Sequence, residues 1–359
     1  MQGIVLVGGE GTRLRPLTYD VPKPMLPIVE RPIIARVVEW LGLYGVNRVV
    51  LSLGYQPEPF FAAFPGETWA GVQICYAVEP HRLDTAGAVL FAAEAAGMTD
   101  EPVLVFNGDV LTDLDLGELV ALHEDRGAAI TIALTPVEDP SPYGVVALDD
   151  DKRVLAFVEK PPRNEAPSNL ISAGAYVFEP RVLASIAHGR TVSVEREILP
   201  LFVGRREVYA YDSDAYWIDT GTPERYVRAQ LDVLAGLRPN VVLPESEVRA
   251  PGVFVAPGAV VAGEVQGCAF LGAGAVISPG ALVEDAVVGP RAHVASGATV
   301  RGSILLAGCR ISSKATVEAS IIGPGAVVGP GAWLSASTVI GAGFVVDDGD
   351  TLVGARRPD

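Results

Sequence analysis

Basic charge, cysteine and long apolar runs are all scarce in this chain, and each shortage excludes a class of function. Lysine and arginine together number 27 against 43 aspartates and glutamates, a net charge of −16 over 359 residues. That balance argues against a nucleic-acid partner, because such binders present a basic surface. A small anionic ligand stays open, since it responds to local rather than total charge. Cysteines are three, Cys75, Cys268 and Cys309, an odd number without a CxxC spacing. Reduced thiols in a cytoplasmic protein are the expectation. No stretch approaches the roughly 18 apolar residues that span a bilayer. The first strand-like run starts at residue 4, which leaves no room for a signal peptide. No membrane partner is expected.

What is abundant is apolar residue and glycine. Hydrophobic residues make up 49% of the chain and charged residues 19%, the balance of a soluble globular protein. The length suits two domains, each able to bury its own core. Short apolar runs at 4–7, 48–53, 72–78, 103–106 and 129–134 are bounded by turn residues and suit strands covered on both faces. Between them lie helical patterns. Pro32 stands at a first helical position ahead of Ile33, Ile34, Val37, Val38 and Leu41 on one face, and 85–96, 115–126 and 194–203 read as further helices. A last helix, 223–237, has Thr222 as its cap. Strand–helix alternation of this kind predicts an α/β domain, Rossmann-like, with a mostly parallel sheet and flanking helices over residues 1–237.

After a linker at 238–250, which opens on Arg238-Pro239-Asn240, a six-residue beat sets in. Aliphatic residues recur six apart in runs that restart at 271, 288, 305, 322 and 340, a longer repeat of 17 to 18 residues. Three hexads per coil is the arithmetic of a triangular parallel β-helix, expected here over 251–359 and left-handed.

The chemistry concentrates near the N-terminus. Gly8-Gly9-Glu10-Gly11-Thr12-Arg13-Leu14-Arg15-Pro16-Leu17-Thr18 follows the first apolar run, and Lys23 follows within Pro22-Lys23-Pro24-Met25. Glycines allow positive φ and close backbone approach, so that N–H groups face phosphate oxygens. Arg13 and Arg15 add bidentate donors and Lys23 a point charge. The spacing is neither GxGxxG nor GxxxxGK[ST]. Residues 13–36 set Arg13, Arg15, Lys23, Arg31 and Arg36 against Asp20 and Glu30, a locally basic pocket entrance in an acidic protein. Two further carboxylates end apolar runs: Asp109 in Asn107-Gly108-Asp109 and Asp219 in Trp217-Ile218-Asp219-Thr220-Gly221-Thr222. Each suits a hard cation such as Mg²⁺, and each also suits a turn or a helix cap.

In residues 8–27 the chain resembles the nucleotidyltransferases that make nucleotide-sugars from an NTP and a sugar 1-phosphate, whose signature is GGxGTRLxPLT followed by PKPM. Tyr143-Gly144-Val145, Val158-Glu159-Lys160-Pro161 and Ala173-Gly174-Ala175-Tyr176 extend the likeness over about residues 1–235. Several branches of that family also carry a β-helix. The resemblance implies that Gly8, Gly9, Gly11 and Thr12 cradle NTP phosphates, with Glu79, Thr85 and Gly87 completing the nucleotide site. Arg13 and Lys23 become the catalytic cations, and Asp109 and Asp219 the Mg²⁺ ligands. Gly144, Glu159, Lys160 and Ser172 fall in the sugar-phosphate site. The branch most resembled makes GDP-mannose from GTP and mannose 1-phosphate; thymidylyl or uridylyl transfer to glucose 1-phosphate is the near alternative.

Two departures stand out. Asp84 replaces a glycine usual in Pro-Leu-Gly-Thr-Ala-Gly, and Ser172 replaces an asparagine usual in the sugar pocket. A non-catalytic regulatory subunit is a further alternative, opposed by the presence of all four of Arg13, Lys23, Asp109 and Asp219. An acyltransferase working through His293, the only histidine of the coils, is another. The bland role for the coils is a scaffold that stacks subunits of a homo-oligomer.

Overall fold

The computed structural model describes residues 2–54, 56–238 and 240–358; Pro239, in the expected linker, lies outside them. The chain divides into two compact units. One comprises Met1–Gly9 and Ile34–Trp217, the other Glu10–Ile33 and Ile218–Asp359.

The first unit is built on one sheet. Its parallel half runs Val72–Val78, Arg48–Leu53, Gln2–Leu6 and Val103–Asn107, side by side. Arg48–Leu53, Gln2–Leu6 and Val103–Asn107 bury nearly all their apolar residues, as strands covered on both faces must, whereas Val72–Val78 leaves Val78 exposed. The chain passes from Gln2–Leu6 to one side first and returns to its other side with Val103–Asn107. The sheet order therefore reverses between those two strands, and in open α/β sheets ligands bind beyond the carboxyl ends at such a point. Val7, Gly8, Gly108 and Asp109 follow those two ends, with Gly108 N–H donating to Leu6 O at 2.9 Å.

The rest of the sheet is mainly antiparallel, with Val208–Asp212 running parallel to Ile130–Pro136, so the sheet as a whole is mixed. Leu170–Phe178 pairs with Val103–Asn107 and Ile130–Pro136, and the hairpin Gly144–Leu148/Val154–Glu159 joins at the edge. Helices flank the sheet. Asp84–Ala96 ends on Gly97 at φ 65°. Leu116–Arg126 is capped by Asp115, whose carboxylate accepts Gly117 and Glu118 N–H, and ends on Gly127. The run expected as one helix at 194–203 is a five-residue wide turn, Val194–Ile198, followed by the helix Leu199–Gly204. His123 is buried, its two ring nitrogens 2.8 Å from Thr131 Oγ1 and 3.0 Å from Glu179 Oε1.

In the second unit three parallel sheets wind into a β-helix. Leu271, Val288, Leu305, Ile322 and Ile340 stack in register on one face. Ile277, Val294, Ile311, Val328 and Val346 stack on the second, and Val283, Val300, Val317, Leu334 and Leu352 on the third. Together they form one apolar column, each fully buried aliphatic side chain contributing about 1.5–3 kcal/mol. On the first face the alternate residues Phe270, Val287, Ile304, Ile321 and Val339 are buried too. This sheet is therefore covered outside as well as in. The helix Pro223–Leu234, capped by Thr222 as expected, packs on the strand Ala269–Leu271.

No helix among the described residues is long and apolar enough to cross a membrane. All three cysteines are free thiols.

Candidate active site

In the second unit the segment after the glycine turn meets Asp219. Gly11 takes φ 61°, where a side chain would bring Cβ to 2.9 Å from Lys23 Cβ and 3.1 Å from Thr18 Cγ2. Glycine is thus required here both by conformation and by the passing lysine. Thr18 Oγ1 donates to Gly11 O at 2.9 Å, and Thr12–Leu14 forms a single tight turn that presents an exposed Arg13.

Lys23, 4% exposed, places Nζ 2.9 Å from Asp219 Oδ1. Arg13 Nη2 and Arg225 Nη1 stand 3.5 and 3.6 Å from Asp219 Oδ2, and Gly221 N–H donates to Oδ1 at 2.9 Å. Burial would raise the Asp219 carboxyl, but Lys23, Arg13 and Arg225 outweigh it and hold it below the usual carboxylate range. Arg225 was not singled out by its sequence position; it belongs to the first turn of a helix that only the fold brings back to the loop. Of the five cations expected at a basic entrance, Lys23 and Arg36 are buried.

In the first unit Gly8 approaches Gly54 and Glu79, a Cβ on Gly8 falling 3.6 Å from both Gly54 N and Glu79 Oε1. Gly9 is open on its Cβ side. Glu79 follows the strand Val72–Val78; its Oε2 accepts Leu83 N–H at 3.0 Å, and burial raises its pKa against that bond and Ser52. Gly87 is buried, its N–H directed to Val192 O, and a Cβ there would meet Arg190 O at 2.7 Å. It serves close packing of the helix start against residues 190–192. Thr85 lies next to it, Oγ1 donating to Glu195 Oε2 at 2.8 Å.

A cavity of about 420 Å³ gathers Thr85, Gly144, Glu159, Lys160 and Ser172. Gly144 is forced by contact, since a Cβ would come within 2.3 Å of the Phe157 ring. Lys160 reaches over the cavity with Nζ on Glu159 Oε1, and Ser172 Oγ shares a hydrogen bond of 2.8 Å with Tyr176 OH. Asp109 is half-buried at the end of the neighbouring strand.

Sequence reasoning missed Arg82, Tyr176, Ser193, Glu195 and Arg196, which line the same cavity. A capping signal was there to be found. Ser193 Oγ accepts Arg196 N–H while Glu197 Oε1 accepts Ser193 N–H, and this turn presents Glu195 and Arg196 to the cavity.

Asp84 now has a physical account. Its backbone is at φ 58°, a conformation glycine adopts freely and aspartate tolerates. The carboxylate caps Thr85 N–H at 2.8 Å and pairs with Arg196 at 2.6 Å. The carboxylate thereby fixes a guanidinium at the cavity's rim.

Residues 2–236 match the family model described as nucleotidyl transferase, and residues 265–356 match that of the GMPPB C-terminal domain. A mannose-1-phosphate guanylyltransferase from Mycobacterium tuberculosis is 38% identical over 84% of this chain and 83% of its own. A UTP–glucose-1-phosphate uridylyltransferase from Synechocystis is 34% identical over 85% and 82%. Among solved structures, HddC from Yersinia pseudotuberculosis complexed with GMP-PN superposes with a TM-score of 0.56. It is 29% identical and covers 65% of this chain and 99% of that one. Nucleotidyltransferases of this family generally use a divalent metal.

Proposed function

The chain belongs to the nucleotidyl transferase family, and we propose that it makes GDP-mannose and pyrophosphate from GTP and mannose 1-phosphate. The observation that carries the reaction class is the buried Lys23–Asp219 pair flanked by Arg13 and Arg225. Three cations around one carboxylate leave net positive charge for a polyphosphate, behind a glycine turn. In the reaction an oxygen of the sugar phosphate attacks the α-phosphorus of the nucleotide. The α–β bridging bond breaks, and pyrophosphate leaves with the electron pair. Such a transfer needs charge neutralisation and in-line placement more than a protein base.

Arg13 and Lys23 neutralise the triphosphate and the departing pyrophosphate. Lys160, with Arg82 and Arg196 at the same cavity, receives the sugar phosphate, while Glu159, Glu195 and Ser172 accept sugar hydroxyls. Mg²⁺ is the divalent metal of this reading, with Asp109 and Asp219 as its carboxylates. Asp219 suits it: the carboxyl stays ionised, and the cations facing Oδ2 stand at 3.5 and 3.6 Å, farther than the 2.9 Å between Lys23 and Oδ1. Those same cations mean that a dication is favoured there only once phosphate oxygens arrive with the nucleotide. When bound, the metal screens charge between the two phosphates.

Guanine is favoured by Glu79. An ionised carboxylate only accepts, and guanine offers two donors side by side, N1–H and N2–H, where uracil and thymine offer one. The Mycobacterium tuberculosis relative and the guanine-nucleotide complex of HddC support the same base. The Synechocystis relative favours a second reading, uridylyl transfer to glucose 1-phosphate. The free cysteines fit a cytoplasmic enzyme, and the coils are taken as the surface of a homo-oligomer.

The test is pyrophosphate release from GTP, ATP, CTP, UTP and dTTP paired with mannose, glucose, galactose and N-acetylglucosamine 1-phosphates. GTP with mannose 1-phosphate should give the highest kcat/KM. Preference for UTP or dTTP with glucose 1-phosphate would select the second reading. No turnover with any pair, together with tight nucleotide-sugar binding, would make the chain a regulatory subunit.

A further inference from the structure

Lys23 is held by Asp219 on one side; what holds the segment that carries it lies further along the chain. The turn Lys23–Met25 runs into the short hairpin Pro27–Ile28/Arg31–Pro32, whose corner, Val29 and Glu30, is at φ 45° and 67°. Two consecutive non-glycine residues in the left-handed region cost roughly 1–3 kcal/mol each and persist only where surroundings over-determine them. Here the surroundings are polar tethers. Gln230, 1% exposed on the helix Pro223–Leu234, grips the hairpin with both ends of its amide. Its Oε1 accepts Val29 N–H at 3.0 Å and its Nε2 donates to Pro27 O at 3.2 Å. Tyr226, one turn earlier and fully buried, donates its hydroxyl to the same Pro27 O. On the far side the Glu30 carboxylate accepts the backbone N–H of Ala273 in the first full coil, and a Cβ on Gly272 would fall 2.2 Å from Glu30 Oε1.

Packing does only part of this work. Ile28 and Val29 are fully buried, but a cavity of about 310 Å³ opens against Met25, Leu26 and Pro27 on the loop side and Leu305 and Leu306 on the coil side. On that side the segment is located by its hydrogen bonds rather than by contact. We propose that Gln230, Tyr226 and Glu30 are positioning residues for Lys23, and that the β-helix thereby forms part of the foundation of the phosphate loop. Its consequence for turnover rests on the role given to Lys23 above, so the test reads the lysine directly as well.

The full-length protein and its Gln230→Ala variant are treated with an amine-acylating reagent, and labelling of Lys23 is followed by mass spectrometry with Lys314 as internal reference. The native Lys23 is buried and should label slowly. Losing both amide bonds, worth about 1 kcal/mol each, should raise its relative labelling about thirtyfold. Tyr226→Phe, which removes only a hydroxyl, should raise it by a smaller factor and serves if Gln230→Ala does not fold. Glu30→Gln, which keeps an acceptor for Ala273, should leave it unchanged. Unchanged Lys23 labelling in both Gln230→Ala and Tyr226→Phe would overturn the proposal.

Turnover is measured in parallel, with and without Lys23→Ala. Gln230→Ala should slow the native enzyme about tenfold yet cost almost nothing further once Lys23 is gone. Equal losses in both backgrounds would refute positioning through Lys23. If Lys23→Ala itself left turnover intact while the labelling result held, the role of Lys23 would fall and the tether would stand.

Discussion

Lys23 Nζ sits 2.9 Å from Asp219 Oδ1, a pair formed between residues 196 apart in sequence, with both side chains nearly buried. The pair gives a covered lysine a carboxylate partner and, with Arg13 and Arg225, holds Asp219 ionised. It also makes Asp219 the most sensitive residue of the loop.

Asp219→Asn should lower turnover at least about a hundredfold while the protein stays folded. Its stability should fall by roughly 3 kcal/mol at neutral pH, the scale of breaking a buried ion pair. The pH dependence has a definite sign. The folded pKa of Asp219 lies below its unfolded value, so its stabilisation is complete above the unfolded value near pH 4 and is lost as the pH falls through the folded one. Denaturant titrations should show parent and variant converging in acid. A gap that widened as the pH fell below about 4 would contradict the assignment.

Lys160→Ala should raise KM for the sugar phosphate by about ten- to a hundredfold, the worth of a charge-assisted hydrogen bond, and change KM for the nucleotide little. Arg196→Ala should act in the same direction, since Arg196 is fixed at the same cavity by Asp84. Steady-state kinetics with each substrate varied in turn separates the two constants. Higher KM for the nucleotide alone would place these residues elsewhere in the reaction.

Glu79→Gln should relax the choice of base, narrowing the preference for GTP over UTP by about tenfold, because the amide offers a donor where the carboxylate offers none. Burial raises the Glu79 pKa above its unfolded value. Its ionised form therefore costs stability, a cost absent below the ordinary carboxylate pKa and growing as pH rises through the folded value. The glutamine variant should gain stability relative to the parent between about pH 4 and pH 7. An unchanged base preference would remove Glu79 from the nucleotide site.

His293→Ala should leave nucleotidyl transfer within about twofold of the parent, as the side chain only shares a hydrogen bond of 3.0 Å with Ser278 Oγ on the adjacent coil. Acetyl-CoA turnover that disappeared in this variant would instead give the coils a chemistry of their own.

How much of this was legible in the sequence follows from range. The buried parallel strands announce themselves as apolar runs, and 48–53 and 72–78 coincide with Arg48–Leu53 and Val72–Val78 to the residue. The coils are legible because their side-chain period is local and repeated. The antiparallel strands Gly144–Leu148 and Val154–Glu159 are apolar runs too, GVVAL and VLAFVE, though only partly buried. Long-range polar contacts leave no local trace at all. Arg225 beside Asp219, Gln230 under Val29 and Glu195 beside Thr85 each depend on a chain return of many residues. Asp84 shows the converse case. The departure from glycine is visible in the sequence, while its positive φ and its partner Arg196 are not.

The central claim is a bond: mannose 1-phosphate oxygen to the α-phosphorus of GTP. It is tested by incubating the enzyme with GTP carrying a radioactive α-phosphate, unlabelled mannose 1-phosphate and Mg²⁺, and separating the products. The account predicts that the label appears in GDP-mannose, in step with unlabelled pyrophosphate. Label that stays in GTP or emerges as free GMP, with no labelled nucleotide-sugar, would contradict it.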